Sequence, residues 1–84
     1  MSTIFREKGY RFFFYAADLD EPIHVHITKS SQQAKFWIVP IRASASGGFK
    51  EHELNEIESI IRARINEINQ VWNREKNKRD NLQG

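Results

Sequence analysis

The chain has 84 residues, no cysteine, and 13 basic against 11 acidic side chains, a formal net charge of +2. A chain this short is expected to form a single domain over residues 1–84, burying only about two-thirds of the surface it exposes when unfolded. Without cysteine there is no disulfide framework, thiolate nucleophile or cysteine-based zinc site, which points to a cytoplasmic setting; charges this balanced do not announce DNA as a partner. Met1-Ser2-Thr3-Ile4 runs straight into Phe5 and Arg6 without a basic region and apolar run, so no signal peptide is expected. No apolar stretch nears the roughly 18 residues of a membrane span.

The first half reads as strands. Thr3 to Arg6 is a short run closed by Glu7-Lys8-Gly9, whose glycine can supply the positive φ of a tight hairpin. Tyr10 to Ala17 is rich in aromatic residues and strand-like. Tyr10, Phe12 and Phe14 share one face, while Phe13 and Tyr15 share the other, so both faces need cover. Asp18 to Pro22 is an acidic turn. Ile23 to Thr28 resumes as a strand with Val25 and Ile27 toward the core and His24, His26 and Thr28 on the opposite side. Lys29 to Gln33 is a polar turn. Ala34 to Val39 forms the fourth strand, with Ala34, Phe36 and Ile38 opposite Lys35, Trp37 and Val39; Pro40 ends regular pairing or marks an edge.

Ala43 to Gly48, built from small residues, reads as a flexible connector. From about residue 50 the period changes: Leu54, Ile57, Ile60, Ile61, Ile65, Ile68, Val71 and Trp72 recur at steps of three and four, the stripe of one long helix over about 50–77. Glu51, Glu53, Glu56 and Glu58 crowd its start and Arg74, Lys76, Lys78 and Arg79 its end, in the order that suits the helix dipole. Residues 78–84 lack apolar partners and are expected to fray. The expected fold is α+β: a small, mostly antiparallel four-stranded sheet with strands within about 3–42, followed by one long C-terminal amphipathic helix on one face.

His24-Val25-His26 is the most informative segment. Side chains at i and i+2 of a strand point the same way, so both imidazoles converge on one patch. Three chemistries follow. A metal would take His24 and His26 as ligands, with a third from Asp18, Asp20, Glu21 or His52. A ribonuclease would use the same pair as general base and acid about a phosphate, with Arg11 or Lys35 stabilising the developing charge. The plainest alternative leaves both rings as hydrogen-bonded polar residues of the outer sheet face. That face would also carry Phe13, Tyr15, Trp37 and Val39, an aromatic surface of the kind that marks association.

Thr3-Ile4-Phe5-Arg6, Gly9-Tyr10-Arg11-Phe12-Phe13-Phe14-Tyr15, Pro22-Ile23-His24-Val25-His26, Ala34-Lys35-Phe36-Trp37, Gly48-Phe49, Glu53-Leu54-Asn55-Glu56-Ile57 and Trp72, in this order, resemble the small bacterial domain-of-unknown-function family four-one-six-zero. The resemblance reaches to about Trp72 and implies a component of a toxin–antitoxin-like gene pair. Two departures stand out. Pro22-Ile23 replaces the Pro-Pro common before His-x-His, and Arg62, Arg64, Asn73 and Arg74 stand where some relatives carry further histidines. A metal site needing those extra ligands would be incomplete here.

On sequence, the preferred reading is a protein-interaction module that binds a protein partner, or a second copy of itself, through the outer sheet face. Tyr15, Lys35, Trp37 and Arg11 are its candidate binding residues and His24 and His26 its candidate functional spot. The alternative is an RNase-like toxin, metal-dependent or not, with His24 and His26 catalytic and RNA as partner. No organic cofactor is expected; a divalent metal at His24 and His26 remains open.

Overall fold

A computed structural model describes residues 2–83. Five strands, β1 (Ser2–Glu7), β2 (Tyr10–Phe14), β3 (His24–Lys29), β4 (Gln32–Ile38) and β5 (Ile41–Ala45), form one antiparallel meander in the order β1-β2-β3-β4-β5. A short 3-10 helix, Ala16–Asp20, joins β2 to β3, and two helices follow the sheet, α1 (Glu51–Ala63) and α2 (Ile65–Gln83). The β1–β2 hairpin turns at Lys8 (φ 53°) and Gly9 (φ 84°). Positive φ at both central residues twists the turn in the sense the strands require, which is why glycine serves there.

Alternation along the strands sorts the two faces as the sequence predicts. Tyr10, Phe12, Val25, Ile27, Ala34, Phe36 and Ile38 are all buried beneath Ile57, Ile60, Ile61 and Ile68 of the helices. Phe14, Leu19 and Trp72 form a second apolar cluster, where α2 meets the 3-10 helix.

The expectation of four strands and one helix needs correcting in two places. Ile41–Ala45, whose last three residues read as part of a connector, is a fifth strand: Ile38 pairs with Ile41, Trp37 with Arg42 and Phe36 with Ala43 along the open edge of β4. Small residues have little strand preference of their own, and the pairing edge overrides that. Gly47 then returns the chain across β4 at φ +59°, where a Cβ would fall 1.5 Å from the Gln33 carbonyl oxygen. Only glycine allows that approach.

The single helix is interrupted at Arg64 (φ −119°, ψ 26°), with neither proline nor glycine to cause it. Arg64 is held from outside its own helix. Its guanidinium bonds Glu7 of β1 at 3.0 Å and Glu67 at 2.7 Å, and lies 3.6 Å from the centre of the Phe5 ring. The helix also continues through Gln83, beyond the end expected near residue 77. There Arg79 pairs with Asp20 at 2.9 Å and the Lys76 ammonium donates to the Leu19 carbonyl at 2.9 Å, so α2 is fastened to the 3-10 helix. Met1 and Gly84, the start of the expected domain and the end of the expected fray, lie outside the described residues.

Candidate functional site

β3 delivers His24 and His26 to the outer face of the sheet, side by side as the i, i+2 spacing requires; their ring centroids are 5.3 Å apart. The 3-10 helix then lays Asp18 across both. Asp18 Oδ1 is 3.1 Å from His24 Nε2, and the His26 Nε2–H donates to Asp18 Oδ2 at 2.9 Å. The carboxylate is itself held from behind, since the Tyr15 backbone N–H donates to Oδ2 at 2.8 Å. One donor atom from each of the three residues lies within 4.8 Å of the other two.

The two imidazoles have different surroundings. His24 is fully buried, with Trp37 and Trp72 rings at 5.4 and 5.7 Å. Its Nδ1 is 2.9 Å from the Pro22 carbonyl oxygen, which can only accept, so the ring proton sits on Nδ1. That leaves Nε2 as a buried atom without a hydrogen bond: Asp18 Oδ1 is near, but the geometry is not that of a hydrogen bond. His26 is more open, its side chain 15% exposed, stacked on Phe13 at 5.5 Å with Tyr15 edge-on at 5.1 Å.

Electrostatics set the protonation states. Burial pushes the Asp18 carboxyl up, but the Tyr15 N–H and the neighbouring imidazoles of His24 and His26 outweigh it and hold the group below its ordinary value. Burial lowers His26, with the neighbouring His24 and Lys35 adding to the fall and Asp18 only partly offsetting them. The site at neutral pH thus offers an ionised carboxylate and a neutral His26, the forms in which these residues bind metal.

The donor set suits a divalent transition ion. Two ligand atoms about 2.0–2.1 Å from one tetrahedral ion stand about 3.3 Å apart; the two Asp18 oxygens are 3.1 and 2.9 Å from the two rings, and the three donor atoms together lie within 4.8 Å, so an ion would draw the rings closer. A metal-bound histidine commonly anchors its other nitrogen on a carbonyl, as His24 does on Pro22. Two imidazoles and a carboxylate are three ligands, which leaves a coordination position for water or substrate.

Among the candidate third ligands, only Asp18 joins the pair. Asp20 is taken by Arg79 and Glu21 faces Lys35 at 3.8 Å. His52 lines a separate hollow with Glu7, Lys8 and Glu56. The candidate binding residues form the floor and rim. Arg11 lies 4.5 Å over the Phe13 ring and its Nε donates to the Thr3 hydroxyl at 3.0 Å, Lys35 lies 4.4 Å over Trp37, and Tyr15 is 42% exposed. The aromatic face is more covered than its composition suggests: Phe13 is buried and Trp37 half-buried, leaving Tyr15 and Val39 as the exposed large apolar side chains among the described residues. Two contributors escape a reading of the sequence. The Pro22 carbonyl carries no side-chain signal, and Trp72 reads as part of the helix stripe although it covers His24.

Residues 9–73 match the family model described as Domain of unknown function (DUF4160). No curated protein and no solved structure matches the chain.

Proposed function

We propose that this chain, which belongs to the DUF4160 family, is a divalent-metal-binding protein whose centre is Asp18, His24 and His26. The observation that carries the reading is His24 Nε2, a buried lone pair without a hydrogen bond 3.1 Å from a carboxylate oxygen. Two electron-rich atoms facing each other in a buried site repel, and a cation between them converts that cost into attraction. Binding would displace the proton that His26 shares with Asp18. A bound ion with an open position would supply Lewis-acid and activated-water chemistry; the chain's own residues hold it and, through Trp72 and Trp37, keep bulk water from His24.

Metal titration tests this. The chelator-treated protein is melted with and without zinc, nickel and manganese. A ligand at a hundredfold excess over its Kd stabilises by about 2.7 kcal/mol, and a domain of this size shifts by about 4–8 °C per kcal/mol. The midpoint should rise by about 10 °C or more with one equivalent bound, and Asp18→Asn or His26→Ala should abolish the rise. A midpoint blind to all three ions would overturn the reading. RNA cleavage that persists in chelator yet is lost in His26→Ala would instead assign the pair to metal-free acid–base chemistry.

The interaction-module reading, a toxin–antitoxin-type component, has its own support. Exposed Val39 shares a surface hollow with Pro22, Trp37, Pro40 and Arg42, beside the His24 end of the sheet. Under that reading Val39→Asp would abolish association with the protein partner while leaving metal stabilisation intact.

A further inference from the structure

The near-neutral total charge conceals a one-sided distribution. Across the five strands Glu7 is the single acidic residue, and it points to the helical side, where it holds Arg64. Five strand residues are basic. Lys29 lies over Tyr10 on the helical side. The register places the other four on the outer face: Arg6 pairs with Arg11, Arg11 with Thr28, Lys35 with His26, and Arg42 with Trp37. These cations run from β1 to β5 around the Asp18, His24 and His26 centre. With strands about 4.8 Å apart, they span roughly 19 Å.

One of these placements opposes folding. Arg6 stands directly across from Arg11, and like charges in a cross-strand pair are destabilising. Lys35 stands across from His26 and faces the carboxylate of Glu21, which lies beyond the strands, at 3.8 Å. Such a face is costly alone and favourable against a polyanion. A second copy of the chain docked through the same face would set these cations against themselves. The cations are also held in place: Arg11 lies flat on Phe13 and Lys35 on Trp37, so little side-chain freedom is lost on binding. Tyr15, exposed beside His26, offers an aromatic surface for a base.

We propose that the outer sheet face, through Arg6, Arg11, Lys35 and Arg42, binds the phosphate backbone of a single-stranded nucleic acid and lays it across the centre formed by Asp18, His24 and His26. The proposal deepens the metal-centre reading by naming the class of molecule brought to it. The binding surface itself does not require the ion.

The test is fluorescence anisotropy with labelled twelve-nucleotide RNA, the matching single-stranded DNA and their duplexes, in zinc and in chelator. Four phosphate contacts on a single strand predict a salt slope near −2.8, so raising salt from about 50 to 200 mM should weaken binding about 50-fold. The Arg6→Glu, Arg42→Glu double variant should lose at least about tenfold and flatten the slope, while Arg62→Gln on the helical side should leave affinity unchanged. RNA bound more tightly than DNA would identify RNA as the source of the backbone; equal affinities would support a surface that reads backbone alone. Single-strand binding that survives chelator, in a protein blind to metals, supports the surface and overturns only the metal reading. Metal binding with no single-strand affinity, or affinity unmoved by the double variant, overturns the surface. Poly-glutamate bound as tightly as oligonucleotide overturns it as well, and so does a dimer that the double variant dissociates without any effect on oligonucleotide affinity.

Discussion

His24 and His26 have the same local spacing and opposite circumstances. His24, buried under two tryptophans, has its proton committed to Pro22, whereas His26 sits at the rim and donates its Nε2–H to Asp18. The folded-state pKa of His26 is below the ordinary 6.5. Above that value the ring is neutral in both states and its contribution to stability is complete. As pH falls from 6.5 through the folded-state value, the unfolded chain takes up the proton first and stability is lost. Asp18, also lowered, keeps its contribution until pH drops below its ordinary 3.8. The metal-free protein should therefore melt at progressively lower temperature as pH falls below the ordinary histidine value of 6.5, and His26→Gln should flatten that fall. A wild-type profile already flat there would show that folding does not lower His26.

At the scale of elements, the break at Arg64 and the close pass at Gly47 shape the site from a distance. The break separates α1, whose Ile57, Ile60 and Ile61 lie on the sheet, from α2, which brings Trp72 over Phe14 and His24. Trp72→Ala should cost about 3–5 kcal/mol, as large aromatic truncations in cores do, and should weaken metal binding by opening His24 to water; denaturant unfolding and metal titration read the two effects. Arg64→Ala should lower the unfolding midpoint by releasing Glu7, Glu67 and Phe5 together. At Gly47 an alanine would meet the Gln33 carbonyl in a left-handed conformation, so Gly47→Ala should destabilise by more than about 1 kcal/mol and loosen β5. Amide exchange across β4 and β5 would detect that loosening.

Taken whole, the molecule has an apolar, helix-covered side and an outer side whose strands carry cations alone. A charge arrangement selected for stability would alternate signs across neighbouring strands, and this one does not. Arg6→Glu, which places a carboxylate opposite Arg11, should raise the thermal midpoint of the free protein while weakening oligonucleotide binding. A midpoint that falls together with affinity would mean that Arg6 serves the fold instead. Stability given up at a surface is the pattern expected where binding sets the sequence.

Periodicity was enough to place Val25, Ile27, Phe36 and Ile38 inside, His24, His26, Lys35 and Trp37 outside, and the isoleucine stripe on the sheet, because those are local consequences of a two-residue or 3.6-residue repeat. The third member of the site was legible only as one of four candidates: Asp18, Asp20, Glu21 and His52 carry similar chemistry, and the hydrogen bond from the Tyr15 backbone and the fastening of the 3-10 helix by Lys76 and Arg79 are what bring Asp18 in. The fifth strand, the break at Arg64 and the gathering of Arg6, Arg11, Lys35 and Arg42 on one face likewise depend on partners far along the chain. Local pattern decides which way a side chain points. Only pairing register and helix docking decide what it meets there, since both are set by contacts between segments that the sequence keeps apart.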